Sequence, residues 1–557
     1  MRALTNSLVL LLVIPMVAGC NPDAPDVVAP PPIQDSYGAT VGSVSFPTSC
    51  SEVVQPHLER ALALLHHMTY GGSEKYFRAA LDANSTCAIA RWGLAMSWLH
   101  PLWPDLTTTA EFAEGRQLLE EAEAIQDQTA WEADYIAAIK AYYDAEALPE
   151  RERLAVYERG WRAVYDRYPD DQEAQAFYAL ALLATARPGE PGLATRVEAG
   201  AIVEALRDRV PEHPGALHYI IHSYDTPALA NQALPVAYEY GALAPNVAHA
   251  LHMPTHIFTR VGIWLDSITM NQRSEEAAVQ ANPGKMSPQY LHSLDYEVYA
   301  RLQSGEDLSA GVAAEEVLTM EGPYVLISPP TAAYALAAIP ARYAMERQDW
   351  SAGAALQPHM PSSFGWQDSF APYEALTHFA RGVSGARGGD LEVAAGALED
   401  LKRLREVILA MDAVSYWASQ IDVQIQTVEA WSAFAQEDTD AALEGMRRAA
   451  AIESQTDKHA VTPGEIIPAR ELLGDMLLAL GQPAEALSTY EAEFARSPNR
   501  FNGLYGAAKA AEQLGDRATA ARYYRQLVNN CKDAEIERPR LLEARAFLAN
   551  QAQLNAG

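Results

Sequence analysis

Four cysteines in 557 residues are too few for a disulfide-rich scaffold or a thiolate-bound metal cluster. Basic residues are also scarce: 41 Lys and Arg stand against 72 Asp and Glu, a formal net charge of −31. Such a surface does not neutralise a phosphate backbone, and no basic face interleaved with aromatics appears, so nucleic acid is not an expected partner. The apolar run at residues 8–17 is ten residues long, half of the roughly 20 needed to cross a bilayer as a helix. P-loop and dinucleotide glycine fingerprints are missing, as are a GxSxG elbow and an HExxH pair. The GARGGD stretch near Gly385 lacks the strand context of a phosphate loop. What is present is apolar content of 49% with 20% charged residues, which excludes a disordered chain.

The chain starts MRALTNSLVLLLVIPMVAGC. Arg2 supplies a short positive segment, the apolar run follows, and Ala18 and Gly19 are the small residues that precede Cys20. This resembles a bacterial lipoprotein signal; the alternative is an ordinary secretory signal with an incidental Cys. The resemblance implies removal of residues 1–19, acylation of Cys20 and a lipid membrane as partner. Asn21 in place of Asp implies the outer membrane, with the body facing the periplasm. Residues 20–48 are rich in Pro, Asp, Ser and Gly, without a period, and read as a flexible tether. In an oxidising compartment Cys50 and Cys87 could pair, although spacing alone does not show proximity.

Beyond the tether the pattern is helical, with Ala, Leu and Glu dominant and Gly, Asp or Pro at the breaks. Offsets reveal a repeat. Gly481 and Gly515, Ala486 and Ala520, and Tyr490 and Tyr524 are each 34 residues apart. ELLGDMLLALGQPAEALSTYEAEFARSP forms one copy and YGAAKAAEQLGDRATAARYYRQLV the next. This resembles the tetratricopeptide repeat family, whose period is 34. The fold class expected is all-α: a tetratricopeptide-repeat-like α-solenoid with inserted loops, a concave groove and eight to ten helical pairs. The expected divisions are residues 49–305, N-terminal repeats carrying a site; 306–460, degenerate repeats; and 461–557, C-terminal repeats with a terminal helix. The last are the expected place for a protein partner.

The histidines follow the same offset. His218 and His222, and His252 and His256, are i, i+4 pairs, and each pair is 34 residues from the other; His66 and His100 are also 34 apart. Spacing of three or four places side chains on one helical face. His249 precedes the second pair by three, and His292, Asp295 and Tyr299 fit the next element if nine residues are inserted around NPGKMSP. In the family resembled, these positions line the groove. The stretches HYIIHSYD, HALHMPTHIFTRVGIW, AMSWLHPLW and TPGEIIPARELLGDML resemble a histidine-rich branch of repeat lipoproteins over residues 50–545. That branch brings no activity with it.

Clustered imidazoles point to metal binding. The candidate ligands are His66, His100, His218, His222, His249, His252, His256, His292 and Asp295. They exceed one ion's needs, so two ions or a set of supporting residues is implied. A mostly imidazole set suits copper, one or two ions, and a copper-dependent oxidoreductase acting on a small molecule or peptide in the groove. Zinc with a hydrolytic water is the alternative, and a metal carrier or interaction scaffold a third reading. Tyr299, Asp225 and Arg260 are the candidate catalytic groups. Tyr219, Tyr224 and Tyr296 are further hydrogen-bonding candidates, and Trp98, Trp103, Phe258 and Trp264 candidate cavity walls. Met253 reads mainly as packing. His67 has no assigned role, and His57, His213, His359, His378 and His459 read as surface or packing residues.

Overall fold

A computed structural model of the chain describes residues 30, 33–103, 107–187, 193–325, 328–412, 416–536 and 538–556. The expected signal segment and Cys20 lie outside the described residues. Helix starts follow from local chemistry. Thr108 and Thr129 each accept the N–H of the Glu three residues on, and that Glu reaches back to the Thr N–H. Pro214, Pro288 and Pro329 sit in first turns, where a missing N–H leaves no bond unmade. Gly262 and Gly305 end their helices at φ +72° and +80°, a left-handed conformation that a side chain would strain.

The result is an all-α, tetratricopeptide-repeat-like solenoid of 25 α-helices among the described residues, more than the eight to ten pairs expected. Most helices pack chiefly on their neighbours in sequence, as repeats that cannot bury their own faces require. Ala486, Ala520, Tyr490 and Tyr524 are all fully buried, so the 34-residue offset does mark equivalent positions. The Tyr490 ring sits between Gly474 and Gly506, where an added Cβ would stand 2.5 and 2.2 Å from it. No helix among the described residues is long and apolar enough to cross a membrane.

Buried apolar residues form two main clusters, one from Val41 to Phe258 and one from Leu291 to Ala544. The break between the two main clusters falls within 259–290, and residues 306–460 share a core with 461–557. The solenoid winds far enough for its C-terminal repeats to touch its middle. Trp264 Nε1 donates to the Asn499 carbonyl at 3.0 Å, and Asn499 Nδ2 donates to the Gly262 carbonyl at 3.1 Å. The 454–468 connection, between the helices Thr439–Glu453 and Ala469–Ala479, thereby crosses the inner wall near the helices that carry the histidines.

Residues 33–48 do not behave as a tether. Phe46 is fully buried against Trp92, Trp131 and Tyr135, and the Val41 carbonyl meets His67 Nε2 at 3.0 Å. Burying one Phe contributes roughly 1.5–3 kcal/mol, enough to hold a segment without a hydrophobic period. Cys50 and Cys87 are joined, closing a loop with a sequence separation of 37. Cross-linking a loop of that size stabilises by about 2–4 kcal/mol. Replacing both with Ser should lower the denaturant-derived stability of the 33–100 region by that amount and leave the C-terminal repeats unchanged.

Candidate metal centre

Three helices supply the central imidazoles. Pro214–Tyr224 begins where His213 Nδ1 accepts the Ala216 N–H at 3.2 Å, and carries His218 and His222 on one face. Ala248–Val261 carries His249, His252 and His256. Pro288–Ser304, started by Ser287 accepting the Tyr290 N–H at 3.2 Å, carries His292. Stacking of successive repeats brings the three faces together.

The six imidazoles form two adjacent triads. His218, His222 and His249 each offer a ring nitrogen within 4.8 Å of the other two, and so do His252, His256 and His292. The middle helix contributes to both triads. His249 and His252, and His222 and His256, face each other across the join with ring centroids 6.4 Å apart.

Outer partners fix four of the rings. Nδ1 of His218 donates to the His66 carbonyl at 2.6 Å, that of His249 to Gln289 Oε1 at 3.1 Å, that of His252 to Asn271 Oδ1 at 2.8 Å, and that of His256 to Asp225 Oδ2 at 2.9 Å. The amide orientations are settled by their other ends: Asn271 Nδ2 donates to the Ser267 carbonyl at 2.9 Å and Gln289 Nε2 to Ser293 Oγ at 3.3 Å. Each Nε2 is left with a lone pair directed inward. The Nε2 atoms of His218, His222 and His249 are buried without a hydrogen-bond partner. His252 and His256 bring their Nε2 atoms within 3.1 Å of each other. With both Nδ1 atoms donating outward, those two lone pairs repel unless a proton or a cation lies between them. This is the donor arrangement of an imidazole metal site with its supporting acceptors in place.

Burial disfavours the charged form of all six imidazoles. It lowers His249 to about 4 and takes His218, His222, His252 and His292 well below the ordinary histidine range, with the neighbouring imidazoles adding to the effect. His256 is also lowered by burial, against the opposing pull of Asp225.

Asp225 and Arg260 stand behind the cluster. Asp225 also accepts from Arg260 Nε at 2.8 Å and Lys458 Nζ at 3.1 Å, and Arg260 reaches Asp457 at 2.9 Å. Burial would raise the Asp225 carboxyl, but Lys458 and Arg260 hold it well below the carboxylate range. Its role is to orient and polarise His256. Tyr296 donates to the Thr462 carbonyl at 2.9 Å, with its ring 4.7 and 4.9 Å from those of His252 and His256. A cavity of about 480 Å³, counted out to its open mouth, adjoins the cluster and is walled by Leu102, Trp103 and Met253 as well as imidazoles. Of the four aromatic walls expected, Trp103 alone is among its lining residues.

Four expected site residues lie elsewhere. His66 ends the helix Gln55–His66 and turns away from the groove: Nε2 meets Glu173 at 2.6 Å and Nδ1 meets the Tyr219 hydroxyl at 3.0 Å. Only its backbone carbonyl reaches the cluster. With His213 and Glu173 it forms a separate buried group in which both of its nitrogens are engaged. His100 lies in the turn after the helix Ala88–Met96, stacked on Tyr70 with centroids 3.8 Å apart. Asp295 and Tyr299 lie one and two turns beyond His292 on the same side of their helix, but Asp295 is bound to buried Arg342 at 3.0 Å and Tyr299 accepts from Arg500 Nη1 at 2.7 Å, so each is engaged outside the imidazole cluster. Tyr224 meets Gly200 of the preceding helix rather than the cavity.

The sequence pattern missed the 454–468 connection. His459, read as a packing residue, lines the cavity, and Lys458 completes the Asp225 network. Non-helical residues more than 150 positions from the histidine helices carry no periodic signal that could reveal this.

No protein-family model and no curated protein sequence matches the chain. Among solved structures it is similar at 12% identity to a human IFIT1 dimer with m7Gppp-AAAA, over 86% of this chain and 97% of that one, with a TM-score of 0.38. It is also similar, at 12% identity, to the APC/C hetero-tetramer Cut9-Hcn1, over 88% of this chain and 96% of that one, with a TM-score of 0.26. The repeat fold is established by the helix packing of the chain itself.

Loss of an outer-shell partner typically costs 10–100-fold in metal affinity. Asp225→Asn should therefore weaken copper or zinc binding by about 10–100-fold in a competitive chelator titration, whereas His100→Gln should leave it unchanged.

Proposed function

We propose that the chain is a metal-dependent oxidoreductase whose two imidazole triads hold a pair of copper ions. The observation that carries this reading is the convergence of six imidazoles, four of them tied from behind, with three Nε2 atoms buried without a partner and two more facing each other at 3.1 Å. Nine candidates reduce to six, three per ion, which suits copper's affinity for imidazole. Copper bound there would supply one-electron chemistry with oxygen. The chain's own groups do the rest: Asp225 and Asn271 hold ring orientation, Tyr296 braces the second triad, and Trp103, Leu102 and Met253 keep water from one wall while leaving room for an organic substrate. On the same reading, acylated Cys20 would hold the site at the outer membrane, facing the periplasm.

Zinc is the second reading, because three imidazoles facing an open position also suit a hydrolytic zinc. It is weaker here, since no carboxylate is among the cavity's lining residues to act as base, and Asp225 is already engaged by His256, Arg260 and Lys458. The readings separate on protein purified without an affinity tag. Copper near two equivalents per chain, with oxygen uptake on a phenolic or reducing substrate that His218→Ala and His252→Ala both abolish, is the expected result. Zinc with oxygen-independent hydrolysis supports the alternative, and no metal retained after dialysis defeats both.

A further inference from the structure

A second cavity lies across the 454–468 connection from the imidazole cluster. It is lined by Tyr334, Phe379, Tyr416 and Trp417, and by Gln424 and the carboxylates of Glu453 and Glu465. No residue lines both cavities, but their walls stand back to back. His459 lines the first, and its ring is 5.3 and 5.7 Å from Trp417 and Tyr416 of the second. Thr331 and Tyr334, one turn apart on the helix Pro329–Glu346, line the first and second respectively.

Donor and acceptor accounting specifies what the second cavity takes. Three of its side-chain donors are already committed: Tyr334 to Thr462 Oγ1 at 2.6 Å, Gln420 to Thr456 Oγ1 at 3.2 Å, and Thr427 to the Val423 carbonyl at 2.8 Å. Its acceptors are in surplus. Gln424 is 6% exposed, and its Oε1 is buried without a partner. Among the described residues Glu453 accepts only the Ala469 N–H, at 3.0 and 3.1 Å, and no cation lies within salt-bridge distance of it. Nearby Glu465 meets Arg496 at 3.5 Å. Burial, with Glu465 and Glu493 close by, raises the Glu453 carboxyl well above its ordinary range. A ligand group that relieves this must donate hydrogen bonds, carry positive charge and tolerate aromatic faces, and an alkylammonium does all three.

We propose that this cavity is a receptor for a primary alkylammonium group, which Gln424, Glu453 and Glu465 bind between the aromatic walls. A ligand anchored there extends past His459 to the imidazoles. That extension rests on reading the cluster as a reaction centre, whereas ammonium binding itself does not.

The test is calorimetric titration of the full chain, with and without copper, using n-pentylammonium and 1-pentanol. The ammonium should bind at least about tenfold more tightly than the alcohol. Gln424→Leu, and Glu453→Gln, which keeps an acceptor for Ala469, should each weaken it by about tenfold, while His218→Ala should not. Nα-acetyl-lysine methylamide binding more tightly than pentylammonium would assign the group to a peptide side chain, and the reverse to a free amine. Equal binding of ammonium and alcohol, no binding of either, or ammonium affinity unchanged in both cavity variants would overturn the proposal. Failure of the unaltered chain to bind copper, with ammonium binding intact, would defeat the metal reading alone.

Discussion

A buried imidazole with one nitrogen tied outward has its other nitrogen's lone pair to place, and in this protein four such rings, with two further imidazoles beside them, must place theirs within one small volume. Polar groups buried without partners carry a penalty of about 1–3 kcal/mol each. Three such nitrogens meet in the first triad and two more oppose each other in the second. A fold retains that cost only where something offsets it, and a coordinated cation does so for all of them at once. The surroundings are consistent with this. The Asn271 and Gln289 amides are oriented by bonds at their far ends, and the Asp225 carboxylate that polarises His256 is itself balanced by Arg260 and Lys458.

The solenoid makes the arrangement easy to build. A helix with an i, i+4 histidine pair presents two rings on one face, and the next repeat presents the same face one layer on. The C-terminal winding then brings the 454–468 connection over the open side. The inner wall at the cluster is lined by imidazoles, inside a chain whose overall charge is −31. Association of a cation is favoured by that outer field, while selectivity is left to the imidazoles.

The fold was legible because its signals are local: the 34-residue offsets, small residues at helix contacts and glycines at helix ends. His218, His222, His249, His252, His256 and His292 were legible for the same reason, since helical spacing determines the face. The offset misled at His66 and His100. Equal spacing implied equal placement, but one helix ends at His66 and the other has ended before His100, so neither ring follows the helical face. Asp295 and Tyr299 share a helix with His292 but meet Arg342 and Arg500, partners that only tertiary packing supplies. Lys458, His459 and the packed segment at 33–48 were illegible, because contacts made by irregular backbone leave no period to read.

Anomalous diffraction at the copper edge, from crystals of the copper-loaded protein, tests the central claim most directly. Two peaks should appear, one within about 2.0–2.3 Å of Nε2 atoms in each triad. A copper-loaded crystal with no peak between the three helices, or with its metal bound instead at His66, Glu173 and His213, would contradict the account.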